Sequence, residues 1–240
     1  MSTVQGGQGR IITDGLVLRL DAANNNSYNR YISPTIWNDI SGNGNNGTLV
    51  GPSGGYPSYN SANGGSISFD GTDDYLNCEP STYLTGLINI TASIWVKPLI
   101  LPGLTYQYYP TITRYGGSNG WDIGYSRNKN FFFGGREIAG DSNYLGTTSI
   151  STYELNTWNN VVGTKSGNNW RIYVNGILQN SFTGGTGIVP FDAKNLRIGA
   201  ASFNLVFSNI SVSNAMIYNR ALSSTEILQN YNATRARFGI

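Results

Sequence analysis

The chain has 240 residues, 39% hydrophobic and only 12% charged, with a formal net charge of +2, no histidine and one cysteine. So neutral a balance leaves no electrostatic footprint for nucleic acid or an anionic membrane, and no run of about 18 apolar residues is present to span a bilayer. Without histidine, Ser-His-Asp and Cys-His catalysis and the usual Cys/His zinc sites are excluded, and Cys78 alone cannot close an internal disulfide.

A single domain of this length buries about 70% of its extended surface and needs no disulfide or metal staple. The opening residues, MSTVQGGQGR, lack the apolar stretch of a secretory signal. Residues 1–13 read as an extended arm, polar and Gly-rich until Ile11 and Ile12. Leu16, Leu18 and Leu20 alternate with Val17 and Arg19 and give the first strand. Residues 21–61 are dominated by Asn, Gly, Ser and Pro and read as ordered loops with short strands, anchored by Tyr28, Tyr31, Trp37, Ile40 and Leu49.

Strands are expected at 67–69 and 75–77, on either side of a Gly71-Thr72-Asp73 turn. Another runs over 90–97, where Ile90, Ala92, Ile94 and Val96 alternate with Thr91, Ser93, Trp95 and Lys97 until Pro98 stops it. A Tyr-rich loop follows at 99–110, then strands at 111–115, 121–126, 130–134 and near 146–151. The stretch 158–182 is a three-stranded meander. Ser166 to Asn169 make its first turn, and Asn175-Gly176 is the strongest hairpin signal in the chain, because a type I′ turn needs positive φ at both central residues. Further strands are expected at 195–200 and 205–218. Ser223 with Glu226 three residues on forms a capping box that starts one short helix at 223–231, and 232–240 is a basic, apolar tail. About fourteen short strands and one terminal helix make an all-β chain of two antiparallel sheets packed face to face, with the sandwich at 14–231 between arm and tail.

Several stretches resemble the laminin-G-like, concanavalin A-like lectin/glucanase domains. They are Trp158, Val161, Gly163 and Thr164 followed by Tyr173-Val174-Asn175-Gly176, the run from Ser68 to Leu76, the run from Ile90 to Pro98, Leu196 to Ala200, and Ile217 to Ser223. The resemblance covers about residues 14–232 and implies a jelly-roll sandwich with one sheet curved into a shallow groove. Narrower landmarks, at 16–22, 27–28, 37–49, 63–65 and 229–239, resemble lectin-like domains in structural proteins of tailed phages, especially marine and cyanobacterial ones. Asn159 stands where many relatives have His, and Ser213 and Asn214 where an acidic residue is common.

Glucanases of this fold carry two glutamates and an aspartate on one strand. Glu79, Glu137, Glu154 and Glu226 do not have that spacing, so no enzyme is expected. Structural calcium is common in such domains, and Asp39, Asp70, Asp73 and Asp74 lie in the matching loops. Capping of loop amides explains these residues without a metal, and no cofactor is expected. A lectin site needs an aromatic face and polar groups for hydroxyls, and Tyr106, Tyr108, Tyr109, Arg114, Trp121 and Asp122 are the candidates. At the ends, Arg10, Ile11, Ile12, Arg235, Arg237, Phe238 and Ile240 offer charges and apolar anchors to another chain.

The resemblance implies a non-enzymatic virion protein and does not say where on the particle; synthesis in the host cytoplasm and a place on the outer surface are expected. The expected role is a capsid decoration (cement) protein docking on the major capsid protein or other virion proteins of the outer shell through its termini and a sandwich edge. The alternative is a carbohydrate-binding receptor-recognition module of a tail or tail fibre. A homo-oligomer and a surface glycan are further expected partners; nucleic acid and membrane are not.

Overall fold

The computed structural model describes residues 9–51, 55–79, 88–115, 120–137, 144–185, 195–201 and 206–240. Among these lie sixteen strands. The first seven are β1 (Leu16–Asp21), β2 (Ile36–Trp37), β3 (Gly47–Val50), β4 (Ser58–Asn60), β5 (Ser66–Asp70), β6 (Tyr75–Cys78) and β7 (Ile90–Pro98). Then come β8 (Tyr108–Tyr115), β9 (Gly120–Ser126), β10 (Asn130–Arg136), β11 (Leu145–Thr152), β12 (Asn159–Ser166), β13 (Asn169–Val174), β14 (Ile177–Thr183), β15 (Leu196–Ile198) and β16 (Asn209–Tyr218). One helix, α1 (Ser224–Thr234), follows.

Two eight-stranded antiparallel sheets result. In one the order is β14-β13-β12-β7-β16-β5-β4, with β1 beside the second half of β16; in the other it is β11-β10-β9-β8-β15-β6-β3-β2. The expected meander is β12-β13-β14, and Asn175, with φ 52°, and Gly176, with φ 78°, make its I′ turn. Between the sheets, Phe69, Ile94, Val96, Ile112, Phe133, Val161, Trp170, Ile172 and Ile198 are fully or almost fully buried. This is the all-β jelly-roll sandwich of two antiparallel sheets with one short C-terminal helix that the sequence reading expects.

Strand β8 starts earlier than expected, at Tyr108, with Pro110 inside it. Proline removes a ladder donor, but β15 pairs with β8 only at Ile112 and Thr113. The register shifts between Pro110 and Ile112, so the proline sits at a bulge.

The ends of the chain correct the sequence reading. Helix α1 runs on through Thr234, and a 3-10 turn (Arg235–Phe238) continues it, so 232–240 is not a separate tail. The cause is Trp95, which projects from the outer face of β7. Its indole Nε1 donates to Thr234 Oγ1 at 2.9 Å, its ring stacks on Phe238 at 4.0 Å and on Tyr231 at 5.8 Å, and Trp158 also packs on Phe238, tilted, at 4.9 Å. Arg237 pairs bidentately with the buried Asp21 at 2.7 and 2.8 Å. Arg237 and Phe238, expected to hold a partner chain, are therefore engaged within their own domain; Arg235 and Ile240 are exposed.

Residues 9–13 do the same. Ile11 and Ile12 pack against a second apolar cluster of Val162, Tyr173, Met216, Tyr218, Leu222 and Ile227. Ile12 N donates to Asn230 Oδ1 at 2.8 Å, the Tyr218 hydroxyl to the Ile12 carbonyl at 3.0 Å, and Gln229 Nε2 to the Arg10 carbonyl at 2.7 Å. The rest of the expected arm, 1–8, lies outside the described residues. Residues 9–13 and 224–238 thus close over the outer face of the β7-containing sheet. None of the described helices is long and apolar enough to cross a membrane.

Candidate functional site

The outer face of the other sheet carries a groove. Its origin is legible in Phe131-Phe132-Phe133 on β10. Side chains alternate faces along a strand, so with Phe131 and Phe133 in the core, Phe132 must point outward. Register then sets its surroundings. Phe132 stands opposite Gly124 on β9 and Thr148 on β11, while Gly134 stands opposite Asp122 and Gly146.

These glycines let aromatic rings lie down on the sheet. A Cβ on Gly124 would meet the Phe132 ring at 2.4 Å, and one on Gly134 would meet the Tyr144 ring at 2.5 Å. Phe132 reaches towards Tyr108 on β8, with ring centroids 5.3 Å apart and edge to face, and Tyr144 stands 6.5 Å from Phe132. The Tyr144 hydroxyl crosses β10 and donates to Asp122 Oδ1. Burial pushes the Asp122 carboxyl up to about 7, against the pull of that hydrogen bond.

The groove encloses about 920 Å³, at the upper end of ligand-site sizes. Tyr108, Pro110, Asp122, Phe132 and Tyr144 form its middle, Thr105 to Gln107 flank it on the β8 side, and Asn180 to Phe182 on β14 close the side beyond β11. Aromatic faces, a carboxylate, and the hydroxyls and amides of Thr148, Ser181 and Gln107 together suit a ligand with apolar ring faces and many hydroxyl groups.

Of the six residues expected at a sugar site, Tyr106, Tyr108 and Asp122 line this groove. The other three face inward. Trp121 precedes Asp122 on β9 and alternation sends it into the core, where it is 2% exposed. Arg114 stands opposite Trp121, on the same inward side, and is buried. Tyr109 packs edge to face on Tyr125 at 5.8 Å. Phe132, Tyr144, Arg136 and Phe182 are lining residues that sequence reasoning missed. For Phe132 the period-2 pattern was a sufficient signal; Tyr144 reaches Asp122 by a contact across two strands that no local pattern encodes.

The expected calcium ligands separate. Asp39 closes its own loop: Oδ1 accepts from the Arg19 and Ser41 amides, and Oδ2 from the Ser41 hydroxyl and the Asn45 amide. Asp70, Asp73 and Asp74 come together, with oxygens within 4.8 Å of one another. Burial, with the charges of Asp70 and Asp73 adding to it, raises Asp74 to about 6. Asp70 also caps the Thr72 and Asp73 amides, and Asp74 caps Asp70. Among the described residues these three could hold a cation, and Ca²⁺ would need loop carbonyls and water to complete its usual six to eight oxygens. Cys78 is fully buried with its thiol pushed up to about 12, a core residue without nucleophilic character.

Residues 70–228 match the family model of the concanavalin A-like lectin/glucanases superfamily. No curated protein sequence matches the chain. Among solved structures, the chain is similar to domain 4 of an extracellular arabinanase from Geobacillus stearothermophilus in complex with arabinotriose. That match has 16% identity and a TM-score of 0.69, over 90% of this chain and 98% of that one. Botulinum neurotoxin type C, whose cell entry is described as dependent on two ganglioside molecules, is similar at 15% identity and a TM-score of 0.70, over 93% of this chain and 52% of that one. A Trypanosoma rangeli sialidase matches at 19% identity and a TM-score of 0.68, over 98% of this chain and 36% of that one. The chain thus spans about half the length of the toxin structures it matches and about a third of the sialidase.

Proposed function

The chain belongs to the concanavalin A-like lectin/glucanase superfamily, and from that premise we propose that it is a non-catalytic carbohydrate-binding module whose site is the Tyr108–Phe132–Tyr144 groove. One observation carries this reading. The two sheets are treated oppositely: residues 9–13 and 224–238 cover the outer face of one, while the other keeps Tyr108 and Tyr144 exposed beside Phe132 and Asp122. Exposed aromatics held next to hydrogen-bonding groups are the form of a sugar site. The arabinotriose and ganglioside ligands of structurally similar proteins support it as analogy. Asp122 is the one carboxylate in the described lining, whereas glycoside hydrolysis uses a pair across the sugar. A glycan array probed with the intact protein and with Phe132→Ala tests the reading: binding by the first and loss in the second supports it, and binding unchanged by the substitution removes it.

Resemblance to lectin-like domains of tailed-phage structural proteins supports a place in a virus particle. There, a receptor-recognition module of a tail or fibre fits better than a capsid cement protein, because Arg237 and Phe238, the anchors proposed for docking, are engaged internally. Copy number and position in purified particles test this. A handful of copies at the tail supports recognition; hundreds on the shell restore the decoration role.

A further inference from the structure

The groove crosses its strands instead of following them. Its lining passes from Asn180 on β14 through Thr148 on β11, Phe132 on β10 and Asp122 on β9 to Tyr108 on β8. Neighbouring strands lie about 4.8 Å apart, so the floor from β11 to β8 alone is roughly 15 Å long. That is longer than one sugar ring. The three rings along it stand 5.3 and 6.5 Å apart, a spacing of the same order as successive rings of a glycan chain.

The centre of the floor is acidic. Asp122 uses Oδ1 to accept from Tyr144, and a carboxylate has lone pairs on both oxygens, so capacity is left to accept from a ligand hydroxyl. Arg136, the other charged side chain of the described lining, has an interaction of its own within the protein. A ligand carboxylate laid over this floor would face Asp122 in partly desolvated surroundings, where like charges repel.

Resting on the glycan reading above, we infer that the groove takes neutral oligosaccharides laid across β8 to β11, with Asp122 accepting a ring hydroxyl, and rejects sugars whose carboxylate would face Asp122. The test is calorimetric titration of the intact protein, at a pH that keeps Asp122 ionised. Neutral arabino-, xylo- and cello-oligosaccharides from the monosaccharide upward are compared with oligogalacturonides of matching length. The expected result is an affinity that rises with chain length and then levels off, with the acidic series about tenfold or more weaker. Asp122→Asn should bring the two series to within about threefold of each other, its melting temperature reporting that it folds. Acidic sugars binding as tightly as neutral ones, or a monosaccharide binding as tightly as the longest oligomer, overturns the inference while leaving a glycan site standing. If no sugar binds here or on a broad array, the glycan reading itself falls and takes the inference with it.

Discussion

A Cβ on Gly134 would stand 2.5 Å from Cε1 of Tyr144 and 2.4 Å from the Leu145 carbonyl oxygen. Glycine at 134 is therefore what lets the Tyr144 ring lie across β10 and hand its hydroxyl to Asp122. Gly134→Ala should destabilise the fold by about 1–3 kcal/mol, the usual cost of overpacking, and displace the ring from the groove. Tyr144→Phe keeps the ring and loses only the hydrogen bond, so its effect on stability should stay near 1 kcal/mol. Since that bond lowers the Asp122 pKa, its removal should move the Asp122 titration upward. Carboxyl titration by NMR reads this directly, and an unmoved Asp122 would break the link between the two residues.

The second prediction concerns Phe238. It packs on both Trp95 and Trp158 and so belongs to the stability of the sandwich. Phe238→Ala should cost about 2–4 kcal/mol in chemical denaturation. Arg237→Ala leaves the buried Asp21 carboxylate without its bidentate partner and should cost about 2–4 kcal/mol. Lysine at 237 should rescue little of that, because an ammonium cannot reproduce the two parallel bonds. Deletion of 235–240 that leaves stability unchanged would show that these contacts do not form.

The contrast between ends and middle shows what a sequence carries. The meander at 158–182 was legible because alternation and the Asn175-Gly176 turn are local signals, and the Ser223–Glu226 box fixed the start of α1. The fate of Phe238 was not legible. Its partner Trp95 lies far away in sequence, and only the arrangement of β7 and β16 brings the helix over that ring. The groove divides in the same way. Trp121 and Asp122 are adjacent and were grouped as one site, yet strand alternation places them on opposite faces. Pairing Tyr144 with Asp122 required the β9-β10-β11 register.

The third prediction is a pH dependence with two opposite contributions. Arg220 holds Glu226 with bonds of 3.0 and 2.6 Å, and the Ser223 amide adds one of 2.8 Å. The folded-state pKa of Glu226 falls to about 2 from an ordinary 4.5. A depressed carboxyl contributes stability that is present above the ordinary value and lost as pH falls through the folded one, so melting temperature should decline between pH 4.5 and about 2, and Glu226→Gln should flatten that decline. Asp122 acts in the opposite sense. Its folded pKa of about 7 lies above the ordinary 3.8, so the folded state binds the proton more tightly and stability should rise as pH falls from about 7 towards 3.8. Asp74, raised to about 6, adds to the lower part of the same rise, so Asp122→Asn should remove the part between about 7 and 6, reduce the rest, and leave the Glu226 region unchanged. Identical melting profiles for wild type and both variants would contradict both assignments.

The last prediction separates two neighbouring tyrosines. Tyr108 and Tyr109 are adjacent on β8, and composition gives no reason to treat them differently. The strand does. Tyr108 is 54% exposed and meets Phe132 in the groove. Tyr109 turns inward onto Tyr125, which is fully buried, and the Gly103 amide donates to its hydroxyl at 3.4 Å. Tyr108→Ala should change stability by less than about 1 kcal/mol, as exposed substitutions do. It should weaken glycan binding about tenfold, the order of one aromatic contact. Tyr109→Ala should cost about 2–4 kcal/mol of stability and, in protein that remains folded, leave glycan affinity within about twofold. Paired denaturation and titration experiments on the two variants distinguish the cases. If Tyr109→Ala abolishes binding while Tyr108→Ala leaves it intact, the ligand does not lie on the outer face of β8, and the groove is not the site.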